Sequence, residues 1–198
     1  MQSQSHNRNL ILASSSPYRK LLLDRLQLEF SVHTPAIDEF PLEHEPPQQT
    51  VVRLAREKAM AVSAQHPAAV VIGSDQLAVF EDRIIGKPGS CEKAISQLQQ
   101  FSGQQVLFLT AVHVCCSDSG FGHGEVVYTE VNFRVLSDTE IRRYVDLDQP
   151  LDCAGGFKSE ASGIALLESM HSEDPTAIIG LPLIAVSSLL RAAGFRTP

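Results

Sequence analysis

The stretch that most constrains this chain is Val70-Val71-Ile72-Gly73-Ser74-Asp75-Gln76. The apolar run from Ala68 to Ile72, preceded by Pro67 and closed by Gly, Ser and Asp, reads as a buried strand. At its end the carboxylate of Asp75 emerges from the core. In α/β proteins ligands bind outside the carboxyl ends of strands. A carboxylate held there by a rigid element suits a base or a metal ligand. The bland alternative is a capping or turn aspartate.

The 198 residues suit one large domain or two small lobes. A hydrophobic content of 43% is enough for a proper core. The formal net charge of −7 argues against a binder of nucleic-acid polymers, which needs a basic face. It leaves open a small phosphorylated ligand held by a few local cations. Cys91, Cys115, Cys116 and Cys153 form no C-x-x-C pair, and neighbours in a strand point to opposite faces. They read as reduced thiols of a cytoplasmic protein, not as a zinc site. The polar start, Met1 to Asn9, lacks the apolar region of a signal peptide. No apolar run is long enough to span a membrane.

Leu10 to Ala13 is a short strand running into Ser14-Ser15-Ser16-Pro17-Tyr18-Arg19-Lys20. Ser16 before Pro17 is a helix start, with Leu22 and Leu26 on the core face. Free N–H groups at that terminus suit a phosphate, and Arg19 and Lys20 add cations. The alternative is a plain capped helix. Phe30 to Val32 reads as a second strand. In the loop after it, Asp38 and Glu39 are either ligands of a divalent cation or solvated charges. Pro47 to Gln65 has helical periodicity, and Lys58 matters only if its end of that helix faces the site. Leu77 to Phe80, Glu81-Asp82 and Ile84-Ile85 form a hairpin closed by Gly86-Lys87-Pro88. Lys87 there either neutralises phosphate or is a turn lysine.

Ser90 caps a helix that ends at Gly103. Val106 to Cys116 and Val126 to Leu136 read as two long strands, with Val131, Phe133 and Val135 on one buried face. His113, alone in the first of them, reads as structural. Ser137-Asp138-Thr139-Glu140 fits a capping box. Lys158 and Glu160 share a face if Asp152 to Glu160 is extended, and a Glu facing a pocket accepts from a base's N–H groups. The alternative is a surface turn. Pro182 opens a last helix stopped by Gly194. Without repeats or low-complexity linkers, the chain reads as a single domain over residues 1–198, one α/β unit bent into two lobes.

In their order, the motifs S-x-S-P-Y-R, E-K-A, G-S-D-Q, G-K-P, C-A-G-G-F-K-S-E and G-L-P resemble the Maf family of nucleotide pyrophosphatases, from about Leu10 to Gly194. The resemblance implies an elongated α/β fold, a mixed β-sheet flanked by helices, related to inosine triphosphatase and often homodimeric. It implies hydrolysis of a nucleoside triphosphate to the monophosphate and pyrophosphate with Mg²⁺ or Mn²⁺. By position, Asp75 matches the proton acceptor and a metal ligand. Glu39 matches the metal surroundings, and Ser14, Ser16, Arg19, Lys58 and Lys87 match the phosphate surroundings. Lys20 stands where family members commonly have a second Arg, keeping the charge without the bidentate fork. Gly73-Ser74-Asp75-Gln76 and Phe157-Lys158-Ser159-Glu160 are similar to the branch acting on 7-methyl-GTP. There Tyr18, Gln76 and Glu160 match specificity positions, and Lys158 accompanies them on the substrate side. A positively charged 7-methylguanine ring favours both an aromatic platform and a carboxylate. The competing expectations are a pyrophosphatase for dTTP, UTP or another modified nucleotide, and a non-catalytic nucleotide-binding regulator of cell division.

Overall fold

The computed structural model describes residues 8–197, so the polar start up to Asn7 lies outside the described residues. Among them, seven strands form one mixed sheet in the order β2-β1-β3-β5-β6-β7, with β4 paired to β3 off that path. The strands are β1 (Leu10–Ala13), β2 (Ser31–His33), β3 (Val70–Phe80), β4 (Arg83–Ile85), β5 (Gln105–Cys116), β6 (Phe121–Phe133) and β7 (Leu167–Ser172). The helices are α1 (Pro17–Asp24), α2 (Pro47–Ser63), α3 (Cys91–Phe101), α4 (Asp138–Asp148) and α5 (Leu183–Ala192). β1 runs parallel to β2 and β3, and the remaining pairings are antiparallel. No helix among the described residues is long and apolar enough to cross a membrane.

One face of β3 serves two cores in turn along its length. Val70 and Ile72 pack with β1, α1 and α5, while Ala78 joins a cluster built on α3 and α4. On the opposite face, α2 covers Val71 with Ala59 and Val62, and meets β5 at Leu109 and Ala111 through Val51 and Ala55. Cys115 and Cys116 fall in clusters on the two sides of the sheet, as strand neighbours should.

Local signals made several boundaries. Ser16 caps α1 before Pro17, and Ser137 and Glu140 form a reciprocal capping box on α4. Glu81 and Asp82 both take positive φ in the β3–β4 turn, the backbone twist that a two-residue hairpin demands.

Four expectations need correction. β3 does not end before Asp75 but continues to Phe80, because β5 pairs with it from Val71 to Val79 and β4 pairs with Phe80. β6 begins at Phe121 and ends at Phe133, where a register shift opposite β7 breaks the ladder. Val135 therefore lies beyond the strand and is 82% exposed. Residues 152–160 are not extended: Gly155 and Gly156 both have positive φ and turn the chain through a short 3₁₀ segment, Ala154–Gly156. β7, polar along much of its length, gave no strand signal in the sequence.

Candidate active site

The site lies in a break along one edge of β3. On that side β1 pairs with β3 only as far as Ala13 opposite Gly73, and β4 resumes pairing at Ala78 opposite Ile85. Ser74 to Leu77 face the break, and a cleft of about 610 Å³ opens there. That volume is in the range of small-ligand pockets. The end of β1 delivers Ser14, Ser16, Tyr18 and Arg19 to one wall, and the β4 end delivers Lys87 to the other. Asp75 and Gln76 line it from β3, Lys58 from α2, Glu39 from the loop after β2, and Glu160 from the turn after α4.

Gly73 explains how Lys58 reaches Asp75. A Cβ at Gly73 would collide with the Ala55 carbonyl and the Ala59 amide of α2, so only glycine lets the helix lie this close to β3. Thr50, Leu54 and Lys58, four residues apart on α2, then form one stripe along the cleft. The Lys58 ammonium lies 2.6 Å from Asp75 Oδ1 and 2.8 Å from Glu39 Oε1. The Lys58 and Asp75 side chains are only 6% and 8% exposed, whereas Glu39 is 57% exposed. A buried ammonium needs such partners, because removing one leaves an uncompensated charge. Desolvation works against ionisation of Glu39, but the hydrogen bond from Lys58 and the charges of Lys58, Lys87 and Arg19 outweigh it and hold its pKa below the usual range. Among the described residues, no side chain donates to Asp75 Oδ2.

The serine turn is built around Ser14. Its buried Oγ accepts from the Ser16 amide at 3.0 Å, and Ser16 Oγ in turn accepts from the Arg19 amide at 3.4 Å. Arg19 Nε donates to the Gly180 carbonyl at 2.8 Å, which fixes the guanidinium beside the cleft. Burial lowers the Arg19 pKa, against the raising effect of Asp75 and Glu39, and the group stays cationic.

Ser74, Thr110 and Asp174, to which the sequence assigned no role, hold this arrangement together with Gln76. The Ser74 hydroxyl shares its one proton between the carbonyls of Ala111, at 2.8 Å, and Gly180, at 2.9 Å, and Thr110 donates to that of Ala177 at 2.9 Å. Gln76 Nε2 donates to the carbonyls of Ala177 and Ile178, both at 2.9 Å. Those carbonyls only accept, so the amide nitrogen must face them and Gln76 keeps its Oε1 as an acceptor. Asp174 pins the same segment. Its Oδ1 accepts from the Thr176 amide and hydroxyl, and its Oδ2 from the Ile184 amide at 2.6 Å, inside the first turn of α5. The only local signal was an Asp-Pro pair ahead of the final helix.

Two cations leave the expected set. Lys20 is exposed, pairs with Asp24 at 3.0 Å and does not line the cleft. Lys158 does not line it either. Its ammonium donates to the Asp148 carbonyl at 3.0 Å. A turn at residues 159–160, closed by the Ala161 amide on the Lys158 carbonyl, lies between it and Glu160, which does line the cleft. His113 is remote from the cleft, packed over Gly122 and Gly124, and burial with Arg56 and His123 lowers its pKa. Cys153 lines the cleft, but burial first, then Asp152, push its thiol up to about 12, so it is no nucleophile at neutral pH.

Among the described residues no three His, Cys, Asp or Glu side chains gather into a metal site. A divalent ion bound through substrate phosphates needs only one or two carboxylates from the protein. Glu39 and Asp75, both turned to the Lys58 ammonium, meet that requirement. The charge balance agrees. Arg19, Lys58 and Lys87 against Glu39 and Asp75 leave one net positive charge at this end, too little for a triphosphate.

Known proteins place the whole chain. A protein named 7-methyl-GTP pyrophosphatase from Aromatoleum aromaticum is 55% identical over 96% of this chain and 97% of its own. Proteins of the same name from Polaromonas sp. and Albidiferax ferrireducens are 52% and 48% identical, covering 95% and 98% of this chain and 86% and 98% of theirs. Likeness to solved structures is slight: a HAM1 protein from Coxiella burnetii has a TM-score of 0.43 at 14% identity, covering 64% of this chain and 73% of that one. A family model described as Maf-like protein matches residues 9–193, and this chain belongs to that family.

Proposed function

We propose that the chain hydrolyses 7-methyl-GTP to 7-methyl-GMP and pyrophosphate, clearing a modified nucleotide from the cell. The observation that supports it best is the make-up of the cleft lining. Arg19, Lys58 and Lys87 act together on Glu39 beside the buried Asp75, and the same lining carries Tyr18, Gln76 and Glu160; we assign the first group to the phosphates and the second to the base. The names of the relatives point the same way.

The chemistry is a water attack on the α-phosphorus, with pyrophosphate leaving. Asp75 Oδ2 accepts the proton of that water, while Lys58 holds Oδ1 and fixes the carboxylate plane. Arg19, Lys58 and Lys87 stabilise the negative charge that builds on the leaving pyrophosphate. Ser14 and Ser16 shape the turn; with Pro17 lacking an N–H and the Ser16 and Arg19 amides held by serine hydroxyls, α1 offers a phosphate the Tyr18 amide and its positive end. Mg²⁺ or Mn²⁺ would be held by Glu39 and Asp75 with phosphate oxygens, and its chemistry is neutralisation of the triphosphate. At the other end, the Glu160 carboxylate accepts from the N1–H and N2–H edge of guanine and attracts the positive ring. Tyr18 offers that ring a face. We read the protein as cytoplasmic, with its cysteines reduced, acting on a free nucleotide and not on a nucleic-acid polymer.

The test is pyrophosphate release with Mg²⁺ or Mn²⁺ from 7-methyl-GTP, GTP, dTTP and UTP, with the nucleotide product identified by chromatography. The expected result is 7-methyl-GMP formed in clear preference to the other products. Preference for dTTP or UTP would keep the chemistry and overturn the reading of the base. Binding without release would make the protein a nucleotide-binding regulator.

A further inference from the structure

Lys158 follows Phe157, a buried ring packed against Phe108 and Phe133. Its backbone N–H donates to the Tyr144 hydroxyl of α4 at 2.9 Å. Its ammonium donates to the carbonyls of Asp148 and Gln149, at 3.0 and 3.4 Å, where α4 ends in a left-handed Gln149. A cation there is favoured twice, by unpaired terminal carbonyls and by the negative end of the helix. Asp152 Oδ1 lies 3.7 Å away, and the ammonium also stands 5.6 Å from the centre of the Tyr18 ring. The side chain is only 13% exposed.

This ammonium does not line the cleft, whereas Tyr18, Asp152 and Glu160 do. Tyr18 comes from α1 and Glu160 from the turn after α4, far apart in sequence. Lys158 belongs to the Glu160 turn, and its ammonium ties that turn to the end of α4 and stands against the Tyr18 ring. We infer that Lys158 is a positioning residue for the base end of the cleft, its ammonium fixing the Tyr18 ring and the Glu160 turn relative to each other without contacting the triphosphate.

The inference rests on the proposed reaction only for its choice of substrates, so the experiment has a readout that needs no nucleotide. Amide hydrogen exchange on the free protein compares wild type with Lys158→Met, which keeps the stem and removes the charge, and Lys158→Arg, which keeps the donors. The Met protein should exchange about tenfold faster across residues 152–163, a local opening with the rest of the chain unaffected. Its KM for 7-methyl-GTP should rise about tenfold while kcat falls no more than about threefold, the pattern of lost binding and not of lost chemistry. Inhibition by inorganic pyrophosphate should be unaltered, and the Arg protein should recover most of each effect. Should Lys158→Met fail to fold, Lys158→Gln takes the same measurements. Weakened pyrophosphate inhibition with normal exchange would show a phosphate contact and overturn the inference, as would unchanged exchange and KM. A wild-type protein inactive on every nucleotide would sink the proposed reaction and still leave the exchange result to decide on Lys158.

Discussion

The two ends of the cleft are built differently. The end we propose for the phosphates hangs on regular elements: Asp75 on β3, Lys58 on α2 and Arg19 in the first turn of α1, around a glycine that lets helix and strand touch. The end we propose for the base is a wall of turns: the 3₁₀ segment 154–156, the Glu160 turn and the carbonyls of Ala177 and Ile178. A reaction common to many nucleotides needs charges at fixed places, which secondary structure supplies. Choice of base needs a surface that changes without disturbing those charges, and turns allow it. Ser74 and Gln76, neighbours along β3 on the same face, both dock on the Ala177–Gly180 segment and join the two ends.

If that division is right, damage to the phosphate end should remove activity and leave preference alone. The largest effect belongs to Asp75→Asn, which keeps the shape and loses the proton acceptor. Turnover should drop by about 10²–10⁴-fold for every nucleotide alike. Steady-state kinetics on at least two substrates would show it, and near-normal turnover in a folded Asp75→Asn protein would remove Asp75 from the chemistry.

A packing change sharpens the same point. Gly73→Ala forces α2 away from β3 at Ala55 and Ala59, and overpacking of this kind costs about 1–3 kcal/mol. Denaturant unfolding should report that loss, and because Lys58 moves with α2, turnover should fall too. Loss of stability with full activity would mean that the contact between Lys58 and Asp75 survives the shift.

The smallest effect concerns the loop that carries Glu39. Arg53 clamps Glu45 at 2.7 and 2.8 Å and also holds the Phe40 carbonyl at 3.1 Å. The Arg53 hydrogen bond is the main reason the Glu45 pKa falls from 4.5 to about 2. The folded-state value lies below the unfolded one, so on acidification the unfolded chain takes up the proton first and stability drops. The contribution of the clamp is present in full above about pH 4.5 and is lost as pH falls towards 2. The difference in Tm between wild type and Glu45→Gln should therefore be small but steady near neutrality and vanish on approaching pH 2. A difference that persists at pH 2 would mean that the clamp does not depend on the Glu45 charge.

Legibility in the sequence followed the same division. β1, the Ser16-Pro17 start, the Glu81-Asp82 hairpin and the Ser137 capping box are local patterns, and all of them formed. Asp75 was visible as a carboxylate at an apolar strand, but its setting was not. The break in the sheet edge depends on where β1 and β4 stop against β3, which is a tertiary fact. Lys158 and Glu160 would share a face only in an extended stretch, whereas a turn at residues 159–160, closed by the Ala161 amide on the Lys158 carbonyl, bends the chain between them. Asp174 was passed over because its acceptors serve amides beyond it in the loop and in α5. Lys20 followed the motif but turned to Asp24, an i,i+4 partner that a helix always offers.

The central claim is that the phosphate end does the chemistry and the base end chooses the nucleotide. The most direct test is kcat and KM for 7-methyl-GTP and GTP in wild type and Glu160→Gln. The account predicts that the substitution lowers the preference for 7-methyl-GTP by about tenfold or more, by loss of the charge and of a hydrogen-bond acceptor, with kcat for GTP within about twofold of wild type. An equal fall in kcat for both nucleotides, with the preference intact, would place Glu160 in the chemistry and contradict the division.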